Sequence, residues 1–376
     1  MHCYMPCPHD LLKAFAKFLF ILFAWTSIPT LAQAEQPLPL EATQLGLAAT
    51  ALPPGHFARL ETGLPPGVNT LRELLRVRFP DGRTIAIHDW SDTGHWDPQR
   101  QKLYYLGMRR FKKFIAYDAQ LNAWEELGWK GEPPPIDEKV GHAYGRNALD
   151  RKRGHFYHLA LVDRRARGLY RYRLDDDRWE RLPDLPSPGY PSVAALSIEW
   201  HPTLDVLVVL DPVHTGHRLW TFDGQRWLEK PRSSVSGYHS HLQYNDVTGD
   251  VLMAGGNRSP FAVELLNKEG TLRALPDAPF KMSIGSNDLT YDPQSGRYLY
   301  IRSKEKEIWE LDRETDHWRR AADGSTIHWP TESGDLGVPI PIESLGVILL
   351  LHDGGPYLYR HATDTCTRTL CPSTTH

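Results

Sequence analysis

Five times along this chain a turn residue stands six positions ahead of an apolar run. Asp97 precedes Leu103-Tyr104-Tyr105-Leu106, Asp150 precedes Phe156-Tyr157-His158-Leu159, and His201 precedes Leu207-Val208-Val209-Leu210. Asn245 precedes Val251-Leu252-Met253-Ala254, Asp292 precedes Tyr298-Leu299-Tyr300-Ile301, and a last run, Ile348-Leu349-Leu350-Leu351, closes the series. A second half recurs as well: Ala116-Tyr117-Asp118 leads to Trp124, Tyr170-Arg171-Tyr172 to Trp179, Trp220-Thr221-Phe222 to Trp227, and Trp309-Glu310-Leu311-Asp312 to Trp318. These segments alternate with period two and are bounded by Asp, Asn, Gly or Pro, as short antiparallel strands joined by tight turns require. The repeat length is about 45 to 55 residues, the span in which four strands make one propeller blade. A single blade cannot bury both its faces, so the blades must stack into a closed ring.

The expected fold is therefore an all-β β-propeller of six four-stranded blades, with seven as the alternative. The ambiguity lies at ring closure. The run Tyr357-Leu358-Tyr359-Arg360 followed by Arg368 to Pro372 completes a sixth blade by itself, yet His56 to Pro65 also reads as an outer strand. That strand either seals the last blade from the N-terminal side or begins a seventh. Between it and the first blade, residues 75–87 alternate around Pro80-Asp81-Gly82, which predicts a hairpin.

The first 34 residues follow a different pattern. Lys13 and Lys17 lead into the apolar run Phe18 to Trp25, and Ala32-Gln33-Ala34 offers small residues for cleavage, the plan of a secretory signal peptide. An uncleaved membrane anchor is the other reading. The expected organisation is a signal peptide over 1–34, a Pro-rich extension over 35–70 with a closing strand, and a propeller over 71–376. Cleavage removes Cys3 and Cys7 and leaves Cys366 and Cys371, which an exported chain pairs as a terminal disulfide. With 12 Trp and 16 Tyr against 4 Cys, packing rather than a disulfide framework must hold the body together. A formal charge of -3 gives no bulk reason to expect nucleic acid or an anionic membrane as partner.

The combination of an apolar strand with Tyr-Asp, then Trp, then Leu-Pro resembles the kelch-type β-propellers over roughly Ser91 to Cys371. Of that family's Gly-Gly pairs, Gly255-Gly256 is retained. The resemblance implies architecture and leaves function open, because such propellers serve as oxidases, epimerases, lyases and binding scaffolds. The copper-radical oxidases of this fold are excluded, since their site needs a cysteine and none lies between Cys7 and Cys366. No phosphate-binding Gly-rich loop, zinc-protease helix or nucleophile elbow is present.

Innermost strands of a propeller line its channel, whose mouth is the usual ligand pocket. Counting back in twos from each turn picks out a polar face: Asp89, Ser91, Thr93 and His95; His142, Tyr144 and Arg146; Ser197 and Glu199; His239, His241 and Gln243; Ser286, Asp288 and Thr290. His142, Tyr144, Arg146, Tyr238 and His239 form a catalytic set suited to eliminative cleavage of a uronic-acid polysaccharide. Arg146 would neutralise the sugar carboxylate, a His or Tyr would take the α-proton, and a second would protonate the leaving oxygen. By residue type this is similar to the propeller-fold polysaccharide lyases. His95, His241, Gln243, Asp288 and Arg151 are the expected substrate-binding residues, Arg151 belonging to a basic run with Lys152 and Arg153. Competing readings stand beside these: hydrogen bonds to neighbouring turns, solvated turn charge, or a divalent-metal site on His239 and His241 with His142 or Asp288 as third ligand. Two functions follow, an exported carbohydrate-binding propeller acting as a lyase, and a non-catalytic scaffold for a glycan or protein partner.

Overall fold

The repeated turn residue has a local cause. Its side chain accepts backbone N–H groups two or three residues on: Asp97 Oδ1 from Gln99 at 2.9 Å, Asp150 Oδ1 from Arg153 at 3.2 Å, Asn245 Oδ1 from Val247 at 3.1 Å, and Asp292 Oδ2 from Ser295 at 3.0 Å. Such side-chain turns reverse the chain between the innermost strand of a blade and its neighbour.

The computed structural model describes residues 37–79, 81–88, 91–108, 111–135, 143–162, 167–186, 196–213, 216–284 and 287–362. The chain divides into Met1–Leu38 and Pro39–His376, and every element below belongs to the second unit. It begins with helix α1 (Gln44–Ala51), strand β1 (His56–Arg59), the single-turn helix α2 (Leu71–Leu74), and the expected hairpin of β2 (Arg76–Arg78) and β3 (Thr84–Ala86). Six four-stranded antiparallel blades account for the remaining strands. The first holds β4 (His95–Asp97), β5 (Lys102–Met108), β6 (Lys112–Asp118) and β7 (Ala123–Glu126), and the second β8 (Asn147–Asp150), β9 (His155–Leu161), β10 (Arg167–Arg173) and β11 (Arg178–Arg181). The third holds β12 (Ser197–His201), β13 (Val206–Val213), β14 (Gly216–Phe222) and β15 (Trp227–Ser233), and the fourth β16 (Ser240–Asn245), β17 (Asp250–Gly255), β18 (Val263–Leu266) and β19 (Leu272–Ala274). The fifth holds β20 (Asn287–Tyr291), β21 (Tyr298–Arg302), β22 (Glu307–Asp312) and β23 (His317–Asp323). The last is built from β24 (Val338–Ile342), β25 (Val347–Leu351) and β26 (Tyr357–Arg360), with β1 as its fourth strand, His56 opposite Arg360.

Ring closure is thus made from the N-terminal side, and no seventh blade forms among the described residues. Within the 35–70 extension it is β1 that supplies the closing strand. Arg360 reinforces the seam by donating to the carbonyls of Ala49, Leu52 and Leu345. Strand β24 was not legible as an inner strand because it carries Pro339 and Pro341. Both prolines fall on alternate positions, so their missing N–H groups face one side, the open inner edge, where no ladder partner is needed.

Apolar side chains collect between blades in six clusters, one per interface. Trp96, Tyr105 and Ile115 meet Ile340 and Leu349 across the first and last blades. Phe114 meets Phe156 and Trp179, Tyr157 meets Trp200, and Val208 meets Leu242 and Met253. Leu252 and Leu265 meet Tyr300 and Trp318, and Leu299 and Ile301 meet Ile348 and Tyr359. No helix among the described residues is long and apolar enough to cross a membrane.

Candidate functional site

Each inner strand starts at one end of the channel and turns back at the other, and the two ends differ. At the leading end, where the strands begin, the chain carries a compact aromatic group. Tyr144 lies just before β8, and Tyr238 and His239 just before β16. Their rings meet edge-on or tilted, with centroids 5.4 Å apart for Tyr144 and Tyr238, 5.1 Å for Tyr144 and His239, and 4.8 Å for Tyr238 and His239. Ile284 completes the group.

The backbone here is strained. Tyr144 has φ of 43° and His239 of 68°, a region that side chains with a Cβ seldom enter. The other non-glycine residues at positive φ among the described residues sit in turns between strands, and none of them is aromatic. Strain held away from ordinary turns needs support from its surroundings. Arg146 closes the first turn, giving both its backbone N–H and its Nε to the Ala143 carbonyl, at 3.1 and 3.0 Å. The second is pinned at successive residues: Gly237 N donates to His217 Nε2 at 2.9 Å, Asn257 N to the Tyr238 carbonyl at 2.8 Å, and Ile284 N to the His239 carbonyl at 3.1 Å. Burial pushes the His217 imidazole down to about 4, which keeps it neutral and able to accept that bond.

Beneath the aromatic group His241 turns its Nδ1 toward Asp92 Oδ2 at 3.3 Å, with only 1% and 8% of the two side chains exposed. Neither ring nitrogen of His241, nor Asp92 Oδ1, makes a hydrogen bond among the described residues. Asp288 is close enough for its acidity to be affected: burial, and after it the Asp92 charge, push this carboxyl well above the usual carboxylate range. Burial also lowers His239, although the bond between its Nδ1 and Asn257 Oδ1 at 3.1 Å pulls the other way.

At the turn end the residue after each capping residue alternates around the ring: Pro98, Arg151, Pro202, Asp246, Pro293 and Glu343. The three charged members converge. Arg151 reaches Asp246 at 2.7 Å and Glu343 at 3.4 Å, and Tyr291 donates to Asp246 at 2.8 Å and also to Glu343. Burial pushes Glu343 up to about 7 against the pull of Arg151, whereas Asp246, though burial opposes it, is held below its ordinary range by the same guanidinium. Behind this plug lies a chamber of about 30 Å³ lined by His95, Glu199 and Gln243, room for about one water. Burial drives His95 down to about 3 and Glu199 up to about 8. Glu199 accepts the Trp200 and Tyr244 N–H groups at 3.0 and 3.4 Å.

The structure therefore divides the residues expected at one site. Tyr144, Tyr238, His239, His241 and Asp288 gather at the leading end. Arg151, His95 and Gln243 line the chamber at the turn end, Gln243 only two residues beyond His241 on β16, and Arg151 is occupied by carboxylates of other blades rather than offered to a substrate. Arg146 has no exposed surface and serves the turn that carries Tyr144, so its expected carboxylate-holding role is not what its placement supports. The His239 ring packs on Tyr144 and Tyr238, while His241 turns toward Asp92. No group of three or more His, Cys, Asp or Glu among the described residues is set to hold a metal. His142, Asp89, Ser286, Cys366 and Cys371, like the leader, lie outside the described residues. The roles of His217, Asn257, Asp246 and Glu343 carry no motif in the sequence, although Asp246 and Glu343 follow from the alternation with proline once the register is known.

No family model matches this chain, and no curated protein matches it. Among solved structures it is similar to a structural genomics protein of unknown function from Bacteroides thetaiotaomicron, with TM-score 0.49 and 11% identity over 81% of this chain and 75% of that one. It is also similar to TolB from Acinetobacter baumannii, with TM-score 0.39 and 12% identity over 65% and 60% of the two chains. Likeness at this level says nothing about activity.

Proposed function

We propose that this chain is an exported, divergent kelch-type propeller that binds an acidic carbohydrate at the leading end of its channel and cleaves it by β-elimination. The observation that carries the reading is the pair of strained aromatic residues, Tyr144 and His239, packed against Tyr238 above the buried Asp92 and His241. Aromatic rings beside polar groups suit the C–H and hydroxyl faces of a sugar. Export is supported by the leader pattern of Lys13, Lys17, the apolar run and Ala32-Gln33-Ala34, and a Cys366–Cys371 disulfide goes with it.

In this reading His239 is the base. With Nδ1–H donating to Asn257 Oδ1, the ring's lone pair lies on Nε2, and a lowered pKa keeps the ring neutral at neutral pH. It takes the α-proton of the uronate, the C–H electrons become a carbon–carbon double bond, and the glycosidic C–O bond breaks as Tyr238 gives its proton to the departing oxygen. With Arg146 fully buried and its Nε given to the Ala143 carbonyl, the partly exposed Asp288, its carboxyl pushed well above the usual carboxylate range, is the group that would hydrogen-bond the substrate carboxylate as charge builds on it. Incubation with a panel of acidic polysaccharides should raise the ultraviolet absorbance of the unsaturated product, with activity rising with pH through a midpoint below the ordinary histidine range. His239→Ala and Asp288→Asn should abolish it.

The burial of Arg146 favours a second reading, a glycan-binding scaffold without catalysis. Saturable polysaccharide binding lost in Tyr238→Ala, with no unsaturated product from any polymer, would select it. Absence of both binding and product would sink both readings.

A further inference from the structure

A groove of about 400 Å³, within the range of small-ligand pockets, lies at the seam where the N-terminal segment meets the loop between β25 and β26. Its walls combine Arg59, Thr62, Asn69 and Arg72 with the Gly354-Gly355 backbone, over the buried side chains of Leu60 and Leu71.

Two features of its charges point to a ligand. Arg59 pairs with Glu61 at 3.1 Å, and both side chains are more than half exposed, so the pair is worth little and is readily exchanged. Arg72, 66% exposed, stands 3.7 Å from Asp353, but that carboxylate is already taken by Arg76, whose Nη2 and Nε reach it at 2.7 and 3.1 Å. The groove therefore presents two guanidinium groups whose present partners hold them loosely. Gly355 has φ of 134°, and a Cβ there would come within 2.9 Å of Arg59 Nε, so glycine lets that guanidinium lie over the loop.

We propose that this groove is a second ligand site that takes a carboxylated saccharide of one or two rings. The guanidiniums clamp the carboxylate, the amide and hydroxyl groups meet sugar hydroxyls, and Leu60 and Leu71 meet a C–H face. Glu61 and Asp353 flank the groove and disfavour ligands of higher negative charge, such as sugar phosphates. The site stands independently of the leading end, since none of its residues belongs to that group.

Calorimetry on the full chain with digalacturonate, and with maltose as the neutral control, tests it. The expected result is saturable binding of the acid and none of maltose, weakened at least about tenfold in Arg59→Ala/Arg72→Ala, two charge-assisted contacts being lost. Leu64→Trp, which fills the groove and spares both arginines, should abolish the same binding. Tyr238→Ala, which removes any share held at the leading end, should leave a saturable component that Leu64→Trp abolishes, whereas binding that vanishes wholly in Tyr238→Ala and persists in Leu64→Trp would assign it to the leading end and overturn this site. Absence of digalacturonate binding in the wild-type chain would overturn it as well, while unsaturated product formed by the wild type would still stand for the other end.

Discussion

The two ends of the channel are built on the same strands from the same polar residue types, yet they are assembled in opposite ways. At the turn end Arg151, Asp246, Tyr291 and Glu343 come from four blades and satisfy one another, with prolines between the charged positions fixing the turns. At the leading end the backbone of Tyr144 and His239 is strained, and His241 and Asp92 are buried with polar atoms that no described group satisfies. Unmet buried polar atoms occur elsewhere in the ring too, on Trp96, Trp179, Thr290 and the turn end's own His95 among them, so it is the strained backbone that separates the two ends. A site that keeps such strain is the one whose arrangement requires another explanation.

The contrast can be broken most directly at Arg151. Removing one member of a largely buried network leaves two carboxylates facing each other, so Arg151→Ala should cost about 3 kcal/mol in urea denaturation and leave polysaccharide binding intact. Lost binding with unchanged stability would reverse the assignment of the two ends. A smaller effect concerns pH. Folded Glu199 keeps its proton to about 8 while an unfolded glutamate releases it near 4.5, so the unfolded chain sheds its proton first and stability falls as pH rises through that window. The buried His95 and His217, neutral in the fold but half charged in the unfolded chain at pH 6.5, add an opposite slope that fades about one pH unit higher and is the same in wild type and variant. Thermal melts between pH 6.5 and 8 should therefore lose the Glu199 part of the slope in Glu199→Gln, roughly 1 kcal/mol per pH unit; an unchanged slope would remove Glu199 from the account. The smallest expected change in stability is at His239. Glycine relieves the left-handed strain as it gives up the ring contacts, so His239→Gly should stay within about 1 kcal/mol of wild type while losing activity on polysaccharide. A cost as large as that of Arg151→Ala would make His239 a structural residue.

Why the ring was legible and the site only half so has a physical answer. The turn spacing repeats because Asp97, Asp150, Asn245 and Asp292 each cap the same reversal, and the tryptophans recur because six interfaces need filling. Trp96, Trp124, Trp179, Trp200, Trp220 and Trp318 are all buried, so their number speaks for packing rather than for sugar binding. Counting in twos fails wherever the chain is not yet a strand. Strand β4 starts only at His95, so Asp92 falls off the count, and although the count includes Tyr144 and His239 it cannot show that their backbone, ahead of β8 and β16, is left-handed. Arg146 misled because its residue type suits an anion while its position in the turn commits it to the Ala143 carbonyl.

The closing strand has a consequence for how the molecule comes into being. Because β1 pairs with β26, one of the first strands to be synthesised waits for one of the last, about 300 residues later. Earlier blades can form locally, but the seam between first and last blades, with its Trp96, Ile340 and Leu349, cannot shut until nearly the whole chain is available. Such a high sequence separation makes closure the slow, entropically costly event of folding. Until it happens, the groove at that seam does not exist, so any ligand it holds would report on completed rings alone.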